Sequence, residues 1–267
     1  MTLPDNNQIL NVMIASAAEG VKAANRVAQD MGVISEEKTN IYGEQELVTN
    51  GDLQANQCML SCLEPLLLPI ITEEVQHNQT AVVESERFIT VDPIDGTLEY
   101  KNGGTGWGSL VGLVEHGLPM AGVIQHSGGG LIVADAEKGC VVDGQSVSLH
   151  SEGDHVLVAP LGPWTPDVIH RIVELLVSEY GYKLVTANST VEATHLFFQC
   201  DAALWVGGAE KIWDSTAPTA AVLAAGGRVR LTSGHQPTWN QLSTPMMYAR
   251  NVQHERHFMA VLHALSR

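Results

Sequence analysis

The sequence predicts a fold that joins an α+β half, residues 1–150, to an α/β half, residues 151–267. In the first half, two long helical segments precede a group of strand-like segments, which is the order typical of α+β folds. In the second half, short apolar strands alternate with helical segments, as in α/β folds. The chain has 267 residues, 45% of them apolar, which is enough for two packed halves, and no flexible linker separates them.

Two helices are predicted before the first strands. Apolar residues recur at intervals of three and four positions over 8–30, which predicts an amphipathic helix. Residues 49–67 are predicted to form the second helix, with Thr49 or Asn50 as its N-cap and prolines near its end.

Strands follow these helices. The β-branched run 89–91 predicts a buried strand, and we expect it to end at Asp92 because Pro93 has no N–H to donate to a neighbouring strand. A short apolar run at 70–72 predicts another strand. Glycine and proline breaks divide residues 106–149 into several more.

The alternation in the second half is regular. Predicted strands lie at 156–159, 183–186, 202–206 and 228–231, and predicted helices at 166–180, 190–199, 215–225 and 252–265. His254 and His257 lie three residues apart in the last helix, and we expect them on its exposed face.

Charge and composition exclude several classes of function. Thirty acidic residues against 14 basic ones give a net charge of −16, which argues against binding to a nucleic acid polymer or an anionic membrane. No apolar run is long enough to span a membrane, and the first residues lack a signal-peptide pattern. Four cysteines without a CxxC pair predict a reducing, cytoplasmic setting, and we expect Cys58 and Cys62 on the core side of the second helix.

Acidic residues recur at the ends of predicted elements, where functional sites are commonly built. They are Asp52, Glu73, Glu74, Asp92, Asp95 and Asp214. Taken singly they have structural explanations, such as a helix N-cap for Asp214 and a solvated loop for Glu73 and Glu74. Asp92 and Asp95 differ, because two carboxylates on one stiff turn repel each other unless a cation lies between them. Oxygen ligands of this kind suit Mg²⁺.

Two segments resemble the signatures of the inositol monophosphatase superfamily, whose members are magnesium-dependent, lithium-sensitive phosphatases. The first is Asp92-Pro-Ile-Asp-Gly-Thr97, and the second is Trp213-Asp-Ser-Thr-Ala-Pro218 followed by Ala224-Ala-Gly-Gly227. With the upstream acidic residues in order, the resemblance extends from about residue 10 to about residue 250. It implies a layered αβαβα sandwich of the inositol monophosphatase and fructose-1,6-bisphosphatase type, and a homodimer.

The resemblance also implies which residues hold the metal. It assigns two or three Mg²⁺ ions to the carboxylates of Glu73, Asp92, Asp95 and Asp214 and to the carbonyl of Ile94. Such oxygen ligands fit Mg²⁺, which would lower the pKa of a bound water and neutralise phosphate charge.

Further residues are implied in binding and proton transfer. The Thr97 hydroxyl would orient the attacking water and pass its proton to Asp52, with Glu73 as a second candidate for that role. The N–H groups of Gly96 and Thr97 would cradle the phosphate, and Ser189 and Lys211 would contact the substrate.

Motif details favour 3′(2′),5′-bisphosphate nucleotidases within this family. Leu98-Glu99-Tyr100 resembles their Lys-Glu-Tyr segment, Lys211 matches a lysine of theirs, and Gly207 stands where inositol monophosphatases carry a hydroxyl-binding Glu. The expected reaction is hydrolysis of the 3′-phosphate of a nucleotide such as adenosine 3′,5′-bisphosphate. The alternatives are an inositol- or sugar-phosphate phosphatase, including a specialised biosynthetic enzyme, and a non-catalytic relative that binds a phosphorylated ligand.

Several positions depart from the family pattern. Leu98 replaces a lysine, and Asn188-Ser-Thr190 replaces a Gly-Ser-Ser-like turn. Gly51 replaces an alanine, which we expect to be harmless. The glycine-rich segment 103–108 lacks the strand–helix setting of a phosphate-binding loop, so we expect a flexible tip near the site.

Overall fold

The computed structural model describes residues 5–39, 43, 45–75, 82–149, 153–162, 165–207 and 211–266. The helices in these residues are α1 Asn6–Asp30, α2 Asn50–Leu63, α3 Thr97–Lys101, α4 Asp167–Tyr180, α5 Thr190–Gln199, α6 Ile212–Ala224 and α7 Val252–Leu265. None of them is long and apolar enough to cross a membrane.

The strands in the described ranges form two large sheets and one hairpin. The hairpin is β1 Ser35–Thr39 with β2 Gln45–Thr49. The seven-stranded sheet runs, in spatial as in chain order, through β3 Ile70–Thr72, β4 Arg87–Asp95, β5 Gly108–Glu115, β6 Leu118–His126, β7 Leu131–Asp135, β8 Gly139–Val142 and β9 Gln145–Val147. The other strands are β10 Asp154–Pro160, β11 Lys183–Ala187, β12 Ala202–Val206, β13 Arg228–Leu231 and β14 Met246–Ala249. They form a five-stranded sheet in the order β11-β10-β12-β14-β13.

The elements stack as the predicted αβαβα sandwich, which is therefore confirmed. Helices α1 and α2 cover one face of the seven-stranded sheet, burying Met13 and Met59 against Val111 and Val123. Helices α5 and α6 lie between the two sheets in the largest core cluster. Helices α4 and α7 cover the outer face of the five-stranded sheet. Helix α6 packs on β5 and β6, so the two predicted halves share an apolar interface.

The strand that carries Asp92 does not end there, contrary to the prediction. It continues to Asp95 through a bulge, in which Asp92 pairs with Leu110 and Asp95 pairs with Gly108. Two residues on β4 thus face one on β5, so Pro93 needs no N–H for the ladder. The Pro93 carbonyl instead accepts a hydrogen bond from the Ser109 hydroxyl at 2.7 Å.

Other predicted boundaries also shift. Helix α2 ends at Leu63 and continues as a 3₁₀ turn, Glu64–Leu66, because Pro65 lies inside that turn. Helix α6 begins three residues earlier than predicted, at Ile212. The hairpin strands β1 and β2 and the buried strand β14 were not predicted, since these short segments lack a clear alternation of apolar and polar residues.

Two predicted environments are wrong. Cys58 and Cys62 are partly exposed and line a surface groove, because the core stripe of α2 is formed by Ala55, Met59 and Leu63 instead. His254 is buried, with its Nδ1 2.7 Å from the Tyr182 hydroxyl, and His257 Nδ1 lies 2.9 Å from the same hydroxyl. His254 and His257 therefore both pack on the side of the helix that faces the five-stranded sheet.

Candidate active site

Three carboxylates converge at the bulge of β4. One oxygen each of Asp92, Asp95 and Asp214 lies within 4.8 Å of the others, and within the described ranges no other group of three acidic, histidine or cysteine side chains is so close. Asp92 and Asp95 come from β4 in the first sheet, and Asp214 comes from α6 in the second half of the chain. The packing of α6 against the first sheet therefore completes the group.

Asp214 is held by the start of its own helix. It is the third residue of α6, not the N-cap predicted when it is considered alone, because the helix begins at Ile212. Its Oδ2 accepts the Lys211 N–H at 2.8 Å, a bond that also satisfies a free amide of the first turn. The carboxylate thus has a fixed orientation toward Asp92 and Asp95.

Asp95 is held by a different helix. Its Oδ2 accepts the backbone N–H of Val191 in the first turn of α5, and Ser189 and Thr190 also donate to the carboxylate. Amides of a helix's first turn lack partners inside the helix and carry partial positive charge. The N-terminus of α5 therefore stabilises the Asp95 carboxylate.

Burial and mutual repulsion make this group unfavourable as three anions. Burial raises the pKa of Asp214 to about 7, with a further contribution from Asp95. Burial also raises the pKa of Asp92 well above its usual value, and the charges of Glu73, Asp214 and Asp95 add to the shift. Asp92 Oδ1 is buried and has no hydrogen-bond partner among the described residues. A buried, unpartnered oxygen beside two more carboxylates fits a hard cation.

Asp52 and Thr97 form the second part of the site. The Thr97 hydroxyl lies 3.1 Å from Asp52 Oδ1 and 3.1 Å from the Ile94 carbonyl, and either oxygen can accept its hydrogen bond. Asp52 Oδ2 accepts the Thr49 N–H at 2.8 Å and the Thr49 hydroxyl. This capping box at the start of α2 confirms Thr49 as the N-cap. Burial raises the pKa of Asp52 despite these hydrogen bonds.

Glu73 is bound to a lysine that sequence reasoning missed. Lys38 Nζ, on β1, lies 3.6 Å from Glu73 and 2.8 Å from Glu74. Burial lowers the pKa of Lys38, but the two carboxylates outweigh it and the pKa is raised overall. Glu73 and Glu74 therefore do not form a solvated loop. The unpredicted β1–β2 hairpin brings this cation over the acidic site, and no motif around Lys38 indicated it.

Gly96 and its surroundings explain the tight turn after Asp95. Gly96 has φ +90° and is the N-cap of α3, as the predicted helical turn at Gly96 and Thr97 requires. A Cβ at this position would lie 2.9 Å from the Ser189 Cβ and 3.1 Å from the Gly106 carbonyl oxygen. Only glycine therefore fits between β4, α5 and the segment 103–108.

The other glycines near the site provide space for neighbouring groups. A Cβ on Gly104 would overlap the Glu99 carboxylate, and one on Gly106 would lie 2.8 Å from a Glu192 oxygen. The segment 103–108 is therefore closely packed at Gly104 and Gly106, whereas a Cβ on Gly103 would meet no atom within 4 Å, and the flexible tip stays a prediction. At Gly51 a Cβ would lie 2.4 Å from the Tyr100 ring, so the alanine of the family pattern would not fit here unless that ring moved.

The predicted substrate residues surround the same site. Ser189 is buried and caps α5, accepting the Glu192 N–H at 3.0 Å. Lys211 directly precedes α6, and its charge lowers the pKa of Asp214. Gly207 is buried and donates its N–H to the Met246 carbonyl at 3.0 Å, so no side chain extends from this position toward a substrate.

A layered αβαβα fold with three converging carboxylates beside a Thr–Asp pair defines a class, that of metal-assisted hydrolases. The chain belongs to the inositol monophosphatase family, whose family model matches residues 5–266. It is a phosphoric monoester hydrolase.

Individual relatives agree with this assignment. The 3′-phosphoadenosine 5′-phosphate phosphatase of Mycobacterium leprae is 29% identical over 217 residues, which cover 72% of each chain. A staphylococcal inositol monophosphatase in a lithium-soaked inhibitory complex superimposes with a TM-score of 0.82 at 16% identity, covering 98% of this chain and 97% of that one. An inositol monophosphatase/NADP phosphatase complexed with Mg²⁺ and phosphate superimposes with a TM-score of 0.78 at 16% identity, covering 97% of both chains. The structural similarities show the shared fold.

Proposed function

We propose that this chain hydrolyses the 3′-phosphate of a nucleotide bisphosphate such as adenosine 3′,5′-bisphosphate, using Mg²⁺. The observation that carries the hydrolytic part is the convergence of Asp92, Asp95 and Asp214 within 4.8 Å, with Asp92 Oδ1 buried and unpartnered among the described residues. Three carboxylates this close together, all with raised pKa values, are far more stable around a divalent cation than alone.

The residues that would hold the metal are all present. Asp92, Asp95 and Asp214 provide the central oxygens, and the Glu73 carboxylate and the Ile94 carbonyl would complete the ligands of two or three ions. When bound, Mg²⁺ would supply Lewis-acid chemistry, neutralising phosphate charge and easing ionisation of the attacking water. A similar solved structure is complexed with Mg²⁺ and phosphate, which supports this choice of ion.

Proton transfer would run through Thr97 and Asp52. A water that donates to the Thr97 oxygen would leave the hydroxyl proton directed at Asp52 Oδ1, 3.1 Å away. The raised pKa of the buried Asp52 makes it a better proton acceptor than an exposed aspartate. Glu73 stays the second candidate for this role, because burial raises its pKa well above the usual value although the charge of Lys38 opposes the shift.

The phosphate would lie against the turn at Gly96 and Thr97. The N–H groups at the start of α3 are available as donors, as the motif analysis predicts. Lys211 and the α5 capping residue Ser189 would border the substrate, Ser189 mainly by orienting Asp95 and Lys211 by its charge beside Asp214.

A nucleotide substrate is supported by sequence detail. The curated relative at 29% identity is a 3′-phosphoadenosine 5′-phosphate phosphatase. Gly207 offers no carboxylate to a polyol hydroxyl, and an enzyme that lacks such a partner binds the polyol less well.

Phosphate release from a panel of phosphomonoesters, with and without Mg²⁺, tests the proposal. We expect turnover of adenosine 3′,5′-bisphosphate that depends on Mg²⁺ and is inhibited by lithium. Turnover of inositol 1-phosphate or fructose 1,6-bisphosphate, but of no nucleotide, would contradict the substrate class. Binding of these esters without turnover of any would indicate a non-catalytic relative.

A further inference from the structure

A cavity of about 420 Å³ lies between α1 and the turn that joins β6 to β7. Two cations line it, Lys22 and Arg26, together with neutral side chains that can both donate and accept hydrogen bonds: Asn25, Gln29, Gln125, His126 and Ser127. No carboxylate is among the described residues that line it, although the chain has more than twice as many acidic as basic residues. In so acidic a protein, a cavity lined by two cations and, among the described residues, by no carboxylate favours anions.

The two cations of the cavity are available to a ligand. Lys22 and Arg26 are four residues apart on α1, so they project from one face of the helix. Arg26 forms no ion pair with any residue in the described ranges. Lys22 pairs with Glu19 at 2.7 Å, but their side chains are 54% and 40% exposed, so water screens this pair and a ligand can displace it.

His126 adds one hydrogen-bond donor, and its hydrogen bond to Gly128 shows which ring nitrogen carries the proton. Its Nδ1 accepts the Gly128 N–H at 2.9 Å, which leaves the proton of the neutral ring on Nε2. Burial lowers the pKa of His126 in spite of the charges of Glu192 and Asp143. The ring is therefore neutral near pH 7 and offers one N–H.

Strand register places this cavity next to the metal site. Asp95 pairs with Gly108 on β5, and Gly108 pairs with His126 on β6. Two strand spacings separate Asp95 from His126, roughly 10 Å along the same edge of the sheet. The segment 103–107 lies between them, held by Ser127, which donates to the Thr105 carbonyl at 2.7 Å and to the Trp107 carbonyl at 2.9 Å.

We propose that this cavity is an anion subsite that binds a phosphate group of an organic phosphate, adjacent to the metal site but outside it. A volume of about 420 Å³ exceeds that of a single phosphate and is within the range of small-molecule sites. The bound phosphate group belongs either to the substrate itself, as a phosphate distant from the reacting one, or to a second phosphorylated molecule.

Calorimetric titration of the metal-free protein with inorganic phosphate in EDTA tests this subsite. Without metal, the carboxylates of the catalytic site repel phosphate, so the cavity dominates the signal. We expect Arg26→Gln to weaken phosphate binding about tenfold and Lys22→Gln/Arg26→Gln to abolish it, since each charge-assisted contact is strong. Both residues are exposed, so these variants should fold. Arg171→Gln is the matched control, because Arg171 is an exposed, ion-paired helix residue away from the cavity.

No phosphate binding by the metal-free protein, or equal affinity in wild type and both variants, would overturn the proposal. The titration needs no turnover, so its result does not depend on the proposed reaction. If binding is lost, steady-state kinetics identify the source. A KM that rises in Arg26→Gln for substrates with a distal phosphate, but not for a monophosphate, assigns the subsite to the substrate. Unchanged KM values for both assign it to a second molecule.

Discussion

The side chain of Asp95 has two roles that can be separated. It is one of the three converging carboxylates, and it also accepts the Val191 N–H at the start of α5. Asparagine keeps the oxygen that accepts this hydrogen bond but removes the negative charge. A substitution at this residue therefore distinguishes metal binding from helix capping.

We expect Asp95→Asn to reduce phosphate release by at least about 100-fold while leaving the thermal midpoint unchanged or higher, because a charge that stabilises the reaction is lost but the fold keeps its cap. Phosphate release and a thermal melt measure the two effects. Asp167→Asn, at the exposed first residue of α4, is the control and should behave as wild type. Full activity in Asp95→Asn would show that the metal site is elsewhere.

The Thr97 hydroxyl provides a second test at the scale of a residue, because in the proposed mechanism it would connect the attacking water to Asp52. Thr97→Val removes the hydroxyl but preserves the shape of the side chain, and it should lower kcat by about 100- to 1,000-fold with little change in KM. Thr97→Ser keeps the hydroxyl and should retain most of the activity. A valine variant with near-normal kcat would exclude proton transfer through this residue.

At the scale of elements, three helix starts determine the geometry of the site. Helix α2 presents Asp52, α5 holds Asp95 through its first-turn amides, and α6 presents Asp214. Because these helices belong to both halves of the chain, the site depends on their mutual packing. Each start was predicted within a few residues, and the resemblance placed Asp52, Asp95 and Asp214 in one site, but the hydrogen bonds from the α5 amides to Asp95 were not predicted.

At the start of α2, replacing a glycine by alanine is expected to change the free energy of unfolding in the direction opposite to the usual one. Replacing a helical glycine by alanine normally stabilises a protein by roughly 0.5–1 kcal/mol. At Gly51 the new Cβ would lie 2.4 Å from the Tyr100 ring, whose hydroxyl is anchored to the Ala24 carbonyl at 2.8 Å. We therefore expect Gly51→Ala to lower the free energy of unfolding by about 1–3 kcal/mol.

Urea denaturation measures this change. In the Tyr100→Leu background the clashing ring is absent. Gly51→Ala should therefore lower the free energy of unfolding less in that background than in the wild type. A more stable Gly51→Ala protein would show that the ring moves aside without cost.

For the whole molecule, the acidic site couples stability to pH and metal. The pKa of Asp214 is raised to about 7, mainly by burial, so the folded metal-free protein binds a proton that the unfolded chain releases near pH 4. This stabilisation is fully present below pH 4 and is lost as the pH rises through 7. Mg²⁺ requires the ionised carboxylate, and its binding therefore releases the proton.

We accordingly expect Mg²⁺ to raise the thermal midpoint more at pH 8 than at pH 6. Below pH 7, the affinity for Mg²⁺ should increase by up to about tenfold per pH unit for each proton that its binding releases. The midpoints with Mg²⁺ and with EDTA are compared at each pH. Histidines that are not proposed metal ligands, such as His195 with its pKa lowered to about 4, contribute equally with Mg²⁺ and with EDTA, so their contributions cancel in this difference. An equal shift at both pH values would contradict the coupling.

Much of this protein follows from local sequence. The two signatures are contiguous, and so the residues Asp92 to Thr97 and Trp213 to Pro218 indicate the family and its chemistry without knowledge of distant contacts. Helix and strand positions in the second half follow from apolar periodicity, which is local too. The nature of the fold and most of the acidic group were therefore predictable.

Contacts between residues that are far apart in the sequence became evident only from the three-dimensional fold. Lys38 lies over Glu73 because the β1–β2 hairpin, whose sequence has no clear alternation of apolar and polar residues, folds there. Glycine is required at position 51 because the Tyr100 ring occupies the space that a Cβ would need. Pro93 stays within a strand because the sheet accommodates a bulge. Through-space packing and charge cannot be read from neighbours in sequence. The contiguous motifs alone indicate the turn from Asp92 to Thr97 and the family, while the contacts around that turn depend on how the two halves pack, which neighbouring residues do not encode.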